Sequence, residues 1–144
     1  MCLIYSKEET DSLIEKCKEN KKTFITYYKV VQWNCVLRHT QSYLYHHVWS
    51  GGWNHANIKH YKREKLKDDD YIEYGIHVYI AKQDAIDMKN YWNCDNTNAY
   101  TILPVKCYIK DIVGVGYRLH GKDAVFTKVW VDKKELDKIR SKFK

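Results

Sequence analysis

Apolar residues recur along this chain at two periods, and the switches between them mark its elements. Ser6-Lys7-Glu8-Glu9 has the form of a capping box, and the helix it opens, Lys7 to Glu19, places Leu13, Ile14 and Cys17 on one face. Thr23 to Trp33 is rich in Thr, Ile, Tyr and Val and predicts a strand. Gln41 to Trp49 predicts another, with Tyr43 and Tyr45 on one face and Leu44 and His46 on the other. Gly51-Gly52 marks a turn, and Trp53 to Tyr61 fits either a short strand or an irregular loop. Lys62 to Asp70 is charged except for Leu66 and predicts a solvated loop.

The second half repeats the alternation. Tyr71 to Ile80 predicts a strand interrupted at Gly75 by a bulge or a close backbone approach. In Lys82 to Trp92, Ala85, Met88 and Trp92 share a helical face, and Asn93 to Asn98 follows as a polar loop. Thr101 to Lys110 predicts a strand that Pro104 pushes to a sheet edge or a bulge. Gly114, Gly116 and Gly121 make Asp111 to Gly121 a turn-rich connection. Ala124 to Val131 alternates as a strand. Asp132-Lys133-Lys134-Glu135 is a second capping box, opening a helix that buries Leu136, Ile139 and Phe143. Strands outnumber helices. The order predicts an α+β fold: a mainly antiparallel sheet with an N-terminal, a middle and a C-terminal helix. With 144 residues and no repeat or Pro/Gly linker, the expectation is one compact domain over residues 1–144.

Charge changes the picture because it is uneven. The net charge is +7, but residues 23–67 alone sum to +6 and residues 128–144 to +4, flanking an acidic stretch. Residues 23–67 also hold nine of the chain's 21 aromatic residues and five of its seven histidines. Cations interleaved with flat rings suit a ligand that carries phosphates and bases. The candidate binding set is therefore Lys29, Arg38, Lys59, Lys62 and Arg63 for phosphates, with Trp49 and Trp53 for stacking. The competing reading makes both indoles a cover for the core beside a hairpin turn.

Other chemistry is thinner. In Gly75-Ile76-His77-Val78-Tyr79, alternation puts His77 on the face opposite Ile76 and Val78, where it could carry a proton near neutral pH, with His39 or His120 as a second carrier. Cys35 and His39 lie four apart, but paired zinc-ligand spacings are missing, so no metal site and no cofactor is expected. Nucleophile elbows and Gly-rich phosphate loops do not occur. Five cysteines without a CxxC pair read as free thiols, no stretch is long and apolar enough for a membrane helix, and the N-terminus lacks the pattern of a secretory leader; the expectation is an intracellular, cytoplasmic protein.

Gly75-Ile76-His77-Val78, the helix with Ala85, Asp111-Ile112-Val113 and Ala124-Val125-Phe126 together resemble small uncharacterised proteins of phages and large DNA viruses. That resemblance implies a viral protein, acting in host cytoplasm, without an activity to carry over. A looser likeness is to the ADP-ribosyltransferase-like fold, in which an early strand, here Tyr28-Lys29-Val30-Val31, starts a nucleotide pocket. That family's late glutamate has no counterpart, since Ala124 to Val131 contains no acid, and no site residue is carried over.

Three functions stay open. The first is a non-enzymatic module binding nucleic acid or a nucleotide through an aromatic and basic surface. The second is a small phosphodiesterase, nuclease or nucleotide-modifying enzyme using His77 and His39. The third is a structural or interaction protein that engages a host protein.

Overall fold

The computed structural model describes residues 3–42, 47–56, 65–94, 99–118 and 121–143. Over these residues the fold is α+β, with three α-helices and a mainly antiparallel sheet. The described residues form ten strands: β1 (Leu3–Tyr5), β2 (Phe24–Asn34), β3 (His39–Gln41), β4 (Gly52–His55), β5 (Tyr71–Ile72), β6 (Ile76–Tyr79), β7 (Tyr100–Tyr108), β8 (Ile112–Arg118), β9 (Gly121–Phe126) and β10 (Lys128–Val131). The helices are α1 (Lys7–Glu19), α2 (Lys82–Trp92) and α3 (Lys133–Lys142). Strand order is β4-β10-β7-β2-β6-β9-β8-β1-β5, with β3 folded back on β2.

All three predicted helices form. Ser6 caps α1 by accepting from the Glu9 amide, but the Glu9 carboxylate turns to the Tyr117 hydroxyl and Lys122 instead of closing a reciprocal box. Asp132 stands at the cap position of α3 without capping it; its carboxylate accepts from Trp130 Nε1 at 3.2 Å.

Four strand expectations are corrected. Asp111 to Gly121 is mostly strand, because Gly114 and Gly116 make room for β1: a Cβ at Gly114 would meet the Tyr5 ring, and one at Gly116 would collide with the Ile4 carbonyl. Pro104 sits in an interior strand opposite Tyr28; the ladder from β7 to β10 is registered at Lys106–Trp130, and Pro104 falls outside it. Gln41 to Trp49 is no single strand, since the chain reverses within it: Gln41 bridges Val48, and the Trp49 amide donates to the Thr40 carbonyl. Residues 43–46 lie outside the described residues. Finally, Ala124 to Val131 divides at Thr127. The part in β9 pairs with β6 and β8, and the part in β10 pairs with β4 and β7. Gly75, at φ +119°, interrupts the segment between β5 and β6 as expected.

The sheet has two unlike faces. On one, Tyr27, Val31, Trp33, Val78, Leu103, Val105, Phe126 and Val129 form the main core, closed by Leu13 and Ile14 of α1 and Leu136 and Ile139 of α3. On the other, α2 covers only part of the sheet, packing Ala85, Met88 and Trp92 on Val30, Tyr79 and Tyr100. Among the described residues, no helix is long and apolar enough to cross a membrane.

Candidate functional site: an open aromatic and basic sheet face

Alternation along β2, β4, β7 and β10 decides which side chains reach the half of the sheet that α2 leaves uncovered. Trp53 on β4 lies opposite Trp130 on β10, Trp130 opposite Lys106 on β7, and Lys106 opposite Thr26 on β2. Phe24 and Tyr108 form the next row. Four rings touch in series: Phe24–Tyr108 at 5.4 Å between centroids, Tyr108–Trp53 at 5.3 Å and Trp53–Trp130 at 5.4 Å. Phe24 is 39% exposed, and the other three are half-buried; none of the four belongs to a packed core cluster. The Lys128 ammonium stands 4.4 Å from the Trp53 ring centre, and that of Lys106 stands 5.4 Å from the Phe24 ring centre. One acid joins them: Asp132 lies 3.6 Å from Lys106 Nζ while also accepting from Trp130 Nε1. This surface offers ring faces for stacking and two cations within reach of a ligand's phosphates.

The two indoles taken together in the sequence are separated. Trp53 is on this open face. Trp49 is 5% exposed, sits in the main core, donates from Nε1 to Ser42 Oγ at 3.0 Å, and meets the His47 ring edge-on. The core reading holds for Trp49 and the surface reading for Trp53. Arg38 is exposed at the tip of the β2–β3 hairpin, in a left-handed conformation at φ 56°, beyond Asn34 at the far end of β2 from Phe24. Lys59, Lys62 and Arg63 lie outside the described residues. The cations over these rings are Lys128 at Trp53 and Lys106 at Phe24, neither of them in the sequence-derived binding set. Alternation within Thr101–Lys110 places Lys106 on the face opposite Leu103, Val105 and Cys107, whereas Lys128 leaves the face of Ala124 and Phe126 only because the alternation shifts phase at Thr127.

Lys29 points elsewhere. Its Nζ donates to the His77 carbonyl at 2.8 Å, on β6, four strand positions from Trp53, or roughly 19 Å at the usual strand spacing. Two residues named for separate roles, Lys29 and His77, thereby come together, joined by a pair the sequence did not flag, Arg118 and Asp123. Arg118 Nε lies 2.8 Å from Asp123 Oδ2, and Asp123 is 1% exposed. The Arg118 guanidinium also stands 5.8 Å over the Tyr79 ring. Burial, then Arg118, lowers Lys29 to about 8, against the opposing pull of Asp123. Burial, then the charges of Lys29 and Arg118, lowers His77 to about 3. His77 is thus neutral near pH 7 and holds no acidic proton there to give. His39 is not its partner: it hydrogen-bonds Gln41 Oε1 at 2.8 Å beside the hairpin tip. Cys17, Cys35, Cys94 and Cys107 are free thiols, and no group of three metal-ligating side chains converges among the described residues. Set against models of known families, curated proteins and solved structures, the chain matches none.

Proposed function

We propose that the protein is a non-enzymatic binding module for single-stranded nucleic acid, which lies across the open sheet face. Bases stack on Trp53, Trp130, Tyr108 and Phe24, and Lys106 and Lys128 take adjacent phosphates. The observation that carries this reading is the unbroken series of four rings, with cations over two of them, on a face that α2 leaves uncovered. Stacking is tolerant of base identity, so the expected binding is weakly sequence-dependent.

The experiment is a salt series with a fluorescent oligothymidine followed by anisotropy. Two phosphate contacts to a single strand give a slope of log affinity against log salt near −1.4, at roughly −0.7 per contact. Tryptophan emission should be quenched on binding, because two indoles lie under the bases. Absence of binding at low salt, or binding indifferent to salt, would reject the proposal.

A further inference from the structure

The open face does not stop at its four rings. Phe24, Thr26 and Tyr28 share one side of β2 and stand opposite Tyr108, Lys106 and Pro104 of β7. The row after Lys106 is therefore Tyr28 beside Pro104, both half-buried, with Thr26 exposed between Tyr28 and Phe24. At Tyr28 the face meets α2. Tyr28 packs against the α2 cluster and stays part-exposed. Lys82, the exposed first residue of that helix, holds its ammonium 5.8 Å from the Tyr28 ring centre. No described residue forms an ion pair with Lys82, and the acid of the same turn, Asp84, lies against Gly121. One step further along this side of β2, Val30 is sealed under α2, so the face ends here. From Trp53 to Tyr28 the face crosses three strand spacings and moves two residues along β2, roughly 16 Å in all.

We infer that Tyr28, Pro104 and Lys82 form a further subsite at the α2 end of this face, taking a base and a phosphate beyond those held by the four rings. The inference rests on the reading of the face as a platform for a single strand, and it narrows the ligand to an oligonucleotide long enough to run from Trp53 to Lys82, as opposed to a mononucleotide. The chemistry repeats that of the four rings. A base stacks on Tyr28, and the ammonium that stands over this ring in the free protein moves, on its flexible stem, to the adjoining phosphate. Lys82 leaves no described carboxylate in doing so, unlike Lys106, which Asp132 holds at 3.6 Å. Pro104 adds an apolar ring beside Tyr28 on which a base or sugar can rest.

The test follows oligothymidines of increasing length, up to about sixteen residues, by anisotropy across a salt series with the full chain. Oligomers confined to the four rings should give the slope of two phosphate contacts, near −1.4, and those that reach Lys82 the slope of three, near −2.1, at roughly −0.7 per contact. Lys82→Gln should return the long oligomers to the shallower slope. Tyr28→Leu, which keeps an apolar side chain against α2, should weaken binding of long oligomers roughly fivefold or more. One slope at every length overturns the inference. So does a long-oligomer slope unmoved by Lys82→Gln, or a long-oligomer affinity unmoved by Tyr28→Leu. In each of these results binding persists and the four-ring reading stands, whereas no binding at any length rejects both.

Discussion

Trp49 and Trp53 are four residues apart and end up in opposite circumstances. Trp49 is sealed into the main core, where its one polar atom is matched by Ser42. Trp53 lies on the other side of the sheet, its ring edged by Trp130 and faced by Lys128. The difference lies in which face a helix closes. α1 and α3 both pack on the first face, while α2 covers only the part of the second over Val30 and Tyr100. An aromatic on the closed face contributes through packing; one on the uncovered face keeps its ring available. Aromatic content alone does not separate these roles, whereas coverage by a helix does.

The contrast can be broken most severely on the closed side. Phe126 is fully buried. Phe126→Ala should destabilise the fold by about 3–5 kcal/mol through cavity formation, measured by urea unfolding. Trp130→Ala, on the open side, should leave stability largely intact yet weaken oligothymidine binding by about 1–3 kcal/mol. Equal loss of stability in the two variants would erase the distinction between the faces.

The group formed by Lys29, His77, Arg118 and Asp123 can be probed by pH. His77 ordinarily titrates near 6.5 and does so at about 3 in the fold. As pH falls from 6.5 towards 3, the unfolded chain takes up this proton and the folded chain does not, so stability falls over that interval. His77→Gln should remove this component. Between pH 6.5 and 3 the unaltered chain should lose stability relative to the variant, so the difference between their unfolding free energies should change steadily as acid is added. Parallel curves would mean that His77 titrates alike in both states.

The smallest effect concerns Asp132. Its carboxylate contacts Lys106 and Trp130, where a ligand phosphate would compete with it. Asp132→Asn should raise oligothymidine affinity by a few fold, the worth of an exposed ion pair of about 0.2–1 kcal/mol. Since Asp132 makes no side-chain cap to α3, helix stability should be little changed. Lowered affinity would assign the carboxylate a supporting role.

The helices were legible because their signals are local: Ser6 before Glu9, and apolar residues at three- and four-residue intervals. β8 was not, because Gly114 and Gly116 spell a turn to any local reading, and their purpose, room for the Tyr5 ring and the Ile4 carbonyl, belongs to a strand over a hundred residues away. Pro104 misled for a similar reason: its place is set by where the β7–β10 ladder stops. For the binding surface, the sequence picked the ring Trp53 and the charge-bearing class of its neighbours, but drew the cations from the same stretch of chain. Lys128 reaches Trp53 and Lys106 reaches Phe24 through strand pairing, which composition along a window cannot register. The joining of Lys29 to His77 was hidden likewise, since each had been weighed alone.

The division of one strand at Thr127 has a mechanical consequence. The eleven residues Gly121–Val131 hydrogen-bond on their first half to β6 and β8 and on their second to β4 and β7, so a single stitch of backbone fastens both flanks of the sheet. Tension applied to either flank is delivered to the other through Thr127, whose amide is tied to the Asp111 carbonyl and whose own carbonyl holds the Ala56 amide. The ring-bearing flank therefore cannot peel away on its own without unpicking the strand that also carries Asp123.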